Sequence, residues 1–255
     1  MANTVVFDVN PMIKRLDAFK AVQVPFATSL AINNLAKQAK SDLQDEMRKK
    51  FKNPVPYTLN SIYIKSSTKS NLYGEVGLKE FAGKGNAAAD YLLPQIKGGP
   101  AYATRFQKGL RAKGILAPNE FARPTQSDYL RVNKHGNVSP GQYSQILFSL
   151  QAFRDNSSFS YRKNSKRKNA FKYIARSTAQ YNSGGPRNFF PGIYMATGLK
   201  NADRLNDDEA ALFWIGKTPQ YSGKYPFVDI GVGSVNKNFN KEFGRALAQA
   251  IATAK

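Results

Sequence analysis

The longest periodic pattern in the chain runs from Val24 to Phe51. Ile32, Leu35, Ala36, Ala39, Leu43, Met47 and Phe51 recur at steps of three and four, which lines one face of an α-helix with apolar side chains. Pro25 fits the first turn of such a helix, where a missing N–H costs nothing. Asn53-Pro54-Val55-Pro56 ends it, because a residue before proline is pushed out of the α region. The polar face is acidic at Asp42, Asp45 and Glu46, then basic at Arg48, Lys49 and Lys50, where cations meet the negative end of the helix dipole. At about 1.5 Å per residue the helix would span roughly 40 Å, enough to be the spine of a domain. Upstream, residues 3–9 (NTVVFDV) predict a short strand. Asn10-Pro11 predicts the start of a separate helix with Met12, Ile13, Leu16 and Phe19 on its apolar side, ending in a break at Val22 and Val24.

After the helix the period changes to two. Ser61-Ile62-Tyr63-Ile64-Lys65, a turn-rich SSTKSN and the alternation of Leu72, Gly74, Val76 and Leu78 predict an antiparallel hairpin. Helices are predicted from Ala87 to Ile96, stopped by Lys97-Gly98-Gly99-Pro100, and from Tyr102 to Ala112, stopped by Gly114; ILAPNEFARPTQ reads as an extended loop. Ser139-Pro140 is an N-cap and first-turn pair ahead of the apolar stripe Ile146, Leu147, Leu150, Phe153. Strands are predicted at Phe189–Ala196 and Ala210–Ile215. A terminal amphipathic helix is predicted from Val235, with Phe239, Phe243, Leu247 and Ile251 at steps of four; Gly231-Val232-Gly233 ahead of it reads as a turn. The pattern as a whole predicts an α+β fold, an antiparallel sheet packed by a long N-terminal helix and a C-terminal helix.

Charge changes the picture. The chain has 255 residues and a normal hydrophobic fraction of 42%, but Lys and Arg number 38 against 17 Asp and Glu, a net charge of +21. A field of that size attracts polyanions and repels other copies. Nucleic acid is the favoured partner class, ahead of an anionic membrane or an acidic protein surface, because the basic residues are mixed with Tyr, Asn and Ser. The basic residues concentrate between Asn156 and Ala202, where there is no Asp or Glu. Within this stretch Arg162, Lys163, Lys166, Arg167, Lys168, Lys172 and Arg176 can pair with phosphates without reading sequence. Tyr161, Phe171 and Tyr173 are interleaved, either to stack on bases or as part of a following strand that faces the core. No apolar stretch approaches the ~20 residues of a membrane span, and the N-terminus carries no signal-peptide pattern. The expectation is a soluble protein made in a cytoplasm, with no membrane partner.

Candidate chemistry is sparse. There is no Cys, which excludes disulfides, thiolate-bound metals and a Cys nucleophile, and one His, His135, in the polar segment NKHGN. No GxSxG elbow, phosphate-binding GxxxxGK[ST] loop or dinucleotide fingerprint is present. Asp203, Asp207, Asp208 and Glu209 are the densest acidic group and carry the less favoured reading, a metal-dependent nuclease. The residues therefore point to a protein with no catalytic residue, cofactor or resident metal.

The order of features resembles a family. A helix beginning at VPFATSLAIN leads to Pro54-Val55-Pro56-Tyr57-Thr58-Leu59-Asn60-Ser61-Ile62, then to a strand with Gly74-Glu75-Val76-Gly77, and Tyr225-Pro226-Phe227 precedes the last helix. This is similar to the tail-completion and neck proteins of long-tailed phages, and most to the minor tail protein Z family of lambda-like phages, which carries Thr-Gly where this chain has Thr58-Leu59. The likeness covers residues 8–82 and 189–254. It implies an α+β core from 1–82 and 189–255 and a basic insertion at 83–188. It also implies a non-enzymatic virion structural protein: a homo-oligomeric ring at the head-proximal end of the tail that joins head to tail beside other neck and tail proteins. The 161–176 run would then face the DNA end in the channel. The alternative is a freestanding, sequence-nonspecific nucleic-acid-binding protein.

Overall fold

A computed structural model describes residues 10–83, 85–150, 152, 172–183, 190–196 and 211–253. The predicted strand at 3–9, the acidic group at Asp203–Glu209 and most of the basic run lie outside them. The elements in the first part of the chain are α1 (Asn10–Lys50), α2 (Pro56–Leu59), β1 (Ile62–Lys65), β2 (Glu75–Leu78), α3 (Ala88–Lys97), β3 (Gly99–Pro100), α4 (Arg105–Ala112), β4 (Glu120–Pro124) and α5 (Pro140–Ser149). Then come β5 (Lys172–Arg176), α6 (Thr178–Asn182), β6 (Gly192–Ala196), β7 (Ala211–Lys217), β8 (Gln220–Tyr221) and α7 (Phe227–Ala252). The fold is α+β, and the chain divides into two compact units, one of residues 1–81 with 224–255 and one of residues 82–223.

The first unit is a helix pair with a hairpin packed on it. The expected break at Val22–Val24 is absent: α1 is one helix of 41 residues with Pro25 in its interior. Pro25 has no N–H to give to the Ala21 carbonyl, a defect that costs about 3 kcal/mol in an isolated helix. Packing offsets it, because the next turns bury Ala27 and Ala31 against Ala246 and Ala250 of α7. These small side chains let the two helix backbones approach closely. Asp42 accepts from the Ser234 hydroxyl at 2.6 Å and Asn34 donates to Glu242 at 3.3 Å, so the pairing is antiparallel. α7 also starts earlier than the spacing from Val235 predicts. Gly231 and Gly233, expected in a turn, are helical. Each interior glycine costs about 0.5–1 kcal/mol relative to alanine, and the buried Tyr225 just before the helix holds its start in place. The Tyr225 hydroxyl donates to the Leu43 carbonyl of α1 at 2.9 Å, and its ring meets Phe51 and Phe227 edge-on.

The predicted hairpin is present, β1 pairing antiparallel with β2 in the register Ile62↔Leu78 to Lys65↔Glu75. The loop between its strands is tied to α1: Ser29 and Asn33 both donate to the Ser67 carbonyl, and Asn33 accepts from the Ser67 N–H. Gly74 is required by close approach, since a Cβ there would sit 2.5 Å from Cγ2 of Ile32. The Tyr63 hydroxyl donates to the Glu75 carboxylate, and this bond, with partial desolvation and the Glu75 charge, holds the phenol above its ordinary pKa.

The second unit carries a four-stranded antiparallel sheet in the order β4-β7-β6-β5. One face is covered by α4 and α5, so that Phe106, Leu110, Ile146 and Leu147 pack on Ala122, Tyr173, Ile193, Met195, Phe213 and Ile215. The expectation that strands beyond residue 189 rejoin the N-terminal core is corrected here: β6 and β7 pair with β4 and β5, inside the 82–223 unit. The segment expected to be an extended loop is β4, in register with β7 from Glu120↔Lys217 to Pro124↔Phe213. Its proline is tolerated because β4 is an edge strand. The predicted cap is in place, with the Ser139 hydroxyl accepting from the Gln142 N–H ahead of Pro140.

Candidate assembly surface and nucleic-acid interface

Two surfaces stand out, one on each unit. On the first, α1, α7 and the hairpin enclose an apolar groove of about 570 Å³. Its floor is made of Leu35, Ala36, Ala39 and Leu43 of α1; Gly74 and Val76 of the hairpin form one wall and α7 forms the other. A Cβ at Gly231 would meet nothing within 4 Å, so glycine there widens the groove. Along α7, Val228, Val232, Val235 and Phe239 follow at steps of four, three and four, the spacing of a helix–helix seam. Val228 is 65% exposed, Val232 53% and Phe239 48%. No charged side chain lines the groove. In a chain with net charge +21, this strip is uncharged and apolar.

Asp42, Asp45 and Glu46 of α1 are occupied in the structure. Asp45 pairs with Arg48 at 2.6 Å, Glu46 with Lys49 and Lys50 at 3.5 and 3.6 Å, and Asp42 accepts from Gln38 as well as Ser234. Among the described residues no group of three or more His, Asp or Glu side chains is placed to hold a metal ion, and no helix is long and apolar enough to cross a membrane. His135 sits in the turn between Val132 and Val138, its backbone N–H donating to the Asn133 side-chain oxygen.

On the second unit the outer face of the sheet combines arginine with aromatic rings. Arg123 of β4 is opposite Trp214 of β7, Trp214 is opposite Gly192 of β6, and Gly192 is opposite Arg176 of β5. One row across the sheet thus reads Arg-Trp-Gly-Arg. Gly192 is fixed by sterics, since a Cβ would lie 2.7 Å from the Phe213 carbonyl oxygen. The Tyr194 ring lies over the glycine instead, with its hydroxyl donating to the Phe190 carbonyl at 2.6 Å. Trp214 meets Tyr194 and Phe190 edge-on, Phe190 stacks on Tyr181 at 6.1 Å, and the Arg176 guanidinium lies over Tyr181 at 5.2 Å.

Beside this row is a cleft of about 960 Å³ lined by Phe190, Pro191, Trp214, Ile215 and the 125–129 loop. The loop is held at both ends. Thr125 donates to the Ala211 carbonyl at 2.6 Å, and the buried Gln142 side chain donates to the Tyr129 carbonyl at 2.8 Å and accepts from the Arg131 N–H at 2.7 Å. Of the basic residues singled out in the sequence, Lys172 and Arg176 lie on β5, and Arg176 reaches the aromatic row. Arg162, Lys163, Lys166, Arg167 and Lys168 lie outside the described residues. Trp214, Phe190 and Arg123 carried no sequence signal of function; their grouping depends on strand register, and β4, which supplies Arg123, reads as a loop.

Comparison of the chain with protein-family models, curated proteins and solved structures gives no match.

Proposed function

We propose that the chain is a non-enzymatic structural subunit that associates with copies of itself through the apolar groove and the exposed stripe of α7. The observation that carries this reading is the self-complementary character of that surface. It offers a groove floored by leucine and alanine side chains, with one wall made of protruding side chains at helix-packing spacing. A patch that is both knob and hole suits a repeated contact between identical chains, which closes into a ring when the rotation allows. The resemblance to tail-completion and neck proteins gives that assembly a setting: a ring at the head-proximal end of a phage tail, part of the virion, joining head to tail next to other neck and tail proteins. The positive charge supports a place beside packaged DNA, where a cationic lumen would hold the DNA end without sequence preference.

Light scattering on the eluting protein, followed by negative-stain microscopy, tests the reading. One closed oligomer with a central channel, binding to isolated phage tails, is the expected result. A protein that stays monomeric at every concentration and ignores tails and heads overturns it.

A further inference from the structure

We infer that the aromatic cleft of the second unit binds single-stranded nucleic acid, with bases stacking on Phe190 and Trp214 and phosphates drawn to Arg123 and Arg176. This goes beyond a charged surface that holds duplex DNA by its backbone. In a duplex the base faces are already stacked on each other and cannot reach a protein ring, so aromatic exposure has no use there. A single strand presents free base faces, and proteins that bind it pair aromatic platforms with a cationic groove.

The structure offers both. Phe190 is 57% exposed, a large apolar side chain left in water at the mouth of the cleft. Trp214 lines the same cleft at the centre of the row that has an arginine at each end. At about 4.8 Å between neighbouring strands, the two arginine backbones are roughly 14 Å apart across the sheet; Arg123 donates to the Lys217 carbonyl at 2.6 Å and the Arg176 guanidinium lies over Tyr181, so each cation is held at one end of the row, outside the cleft lining. Gln126 and Asp128, exposed on the loop, can meet base edges; a carboxylate accepts from an exocyclic amine such as that of cytosine. The loop is anchored through Thr125 and Gln142, so the cleft exists before a ligand arrives and little ordering opposes binding. Charge selects the occupant: with a net +21 on the chain, a polyanion bearing flat rings fits better than a neutral saccharide or a basic peptide.

The inference does not rest on the assembly reading, since every residue it uses belongs to one unit of a single chain. A monomeric variant should bind as the parent does.

The test uses the full chain and a labelled oligothymidylate of roughly 20 nucleotides, longer than the ~4–16-nucleotide sites of single-strand grooves. A duplex of equal length, heparin and poly-glutamate serve as comparisons. Trp214 is the only tryptophan in the chain, so its fluorescence reports directly on stacking in the cleft. The expected result is saturable quenching by the single strand and none by duplex or heparin. Phe190→Ala should weaken single-strand binding by about 5- to 150-fold, the loss of one stacked base, with the salt slope unchanged. Arg123→Gln should lower that slope by about one. Trp214→Phe should keep most of the affinity and Trp214→Leu should lose it. Equal binding of duplex and single strand without quenching overturns the inference, as does a Phe190→Ala protein that binds like the parent. Quenching by poly-glutamate as strong as by the oligonucleotide would assign the cleft to an acidic protein partner instead.

Discussion

Tyr225→Phe is the sharpest probe of how the two long helices of the first unit are held. The ring is fully buried, and its hydroxyl reaches the Leu43 carbonyl at 2.9 Å. Phenylalanine keeps the ring and its edge contacts with Phe51 and Phe227 and removes only the donor. The Leu43 carbonyl keeps its helical partner, so no acceptor is orphaned and the loss should be a single net hydrogen bond, about 0.5–1.5 kcal/mol near pH 8. The same burial, assisted by the Glu46 charge, raises the phenol's pKa well above its ordinary value. A raised folded pKa means that the folded state keeps a proton the unfolded state gives up. The contribution is therefore complete below the unfolded pKa of about 10 and is lost progressively as pH rises from there toward the folded pKa, at about 1.4 kcal/mol per unit. The parent's advantage over Tyr225→Phe should vanish between roughly pH 10.1 and 11.1, above which the variant is the more stable protein. Urea unfolding followed by far-ultraviolet circular dichroism, to which α1 and α7 contribute most, measures this at a series of pH values. Trp214 fluorescence monitors the second unit separately. A stability difference that stays constant from pH 8 to 11, or a variant as stable as the parent at pH 8, would show that the Tyr225 hydroxyl neither stabilises the pair nor retains its proton on folding.

Gly109→Ala should destabilise the second unit, because the new Cβ would lie 2.7 Å from the Ala152 carbonyl oxygen and 3.0 Å from Leu147 Cδ2. An overpacking cost of about 1–3 kcal/mol outweighs the gain of about 0.5–1 kcal/mol from alanine's helix preference; denaturation followed by Trp214 fluorescence would contradict this if the variant were more stable. Raising salt should have opposite effects on the two surfaces. Self-association through an uncharged groove on mutually repelling subunits should tighten, while oligonucleotide binding should fall linearly on a log–log plot. Sedimentation and anisotropy on the same samples check this, and a parallel response of both would be inconsistent with it.

Much of the first unit was legible from spacing alone. Apolar steps of three and four mark the long helix from Ile32 to Phe51 and the last helix from Val235, and alternation marks the hairpin strands. What failed was local punctuation overridden by tertiary packing. Pro25 and the Val22–Val24 break look like a helix start, yet the alanine seam against α7 carries the helix through. Gly231 and Gly233 look like a turn, yet the Tyr225 anchor begins the helix ahead of them. The site on the second unit was less legible. Lys172 and Arg176 were visible as part of a basic run, but Trp214 and Arg123 meet only because β4 and β7, about ninety residues apart, pair in one register. Nothing within either segment encodes that pairing, and Pro124 disguises β4 as a loop.

We propose that the groove and the α7 stripe hold copies of this chain together. Native mass spectrometry of the parent beside Val232→Glu is the test. Val232 is more than half exposed, so a charge there should leave the subunit's fold and its circular dichroism intact. The parent should be a single closed oligomer and the variant a folded monomer. A parent that is monomeric, or a variant that assembles as the parent does, would contradict it.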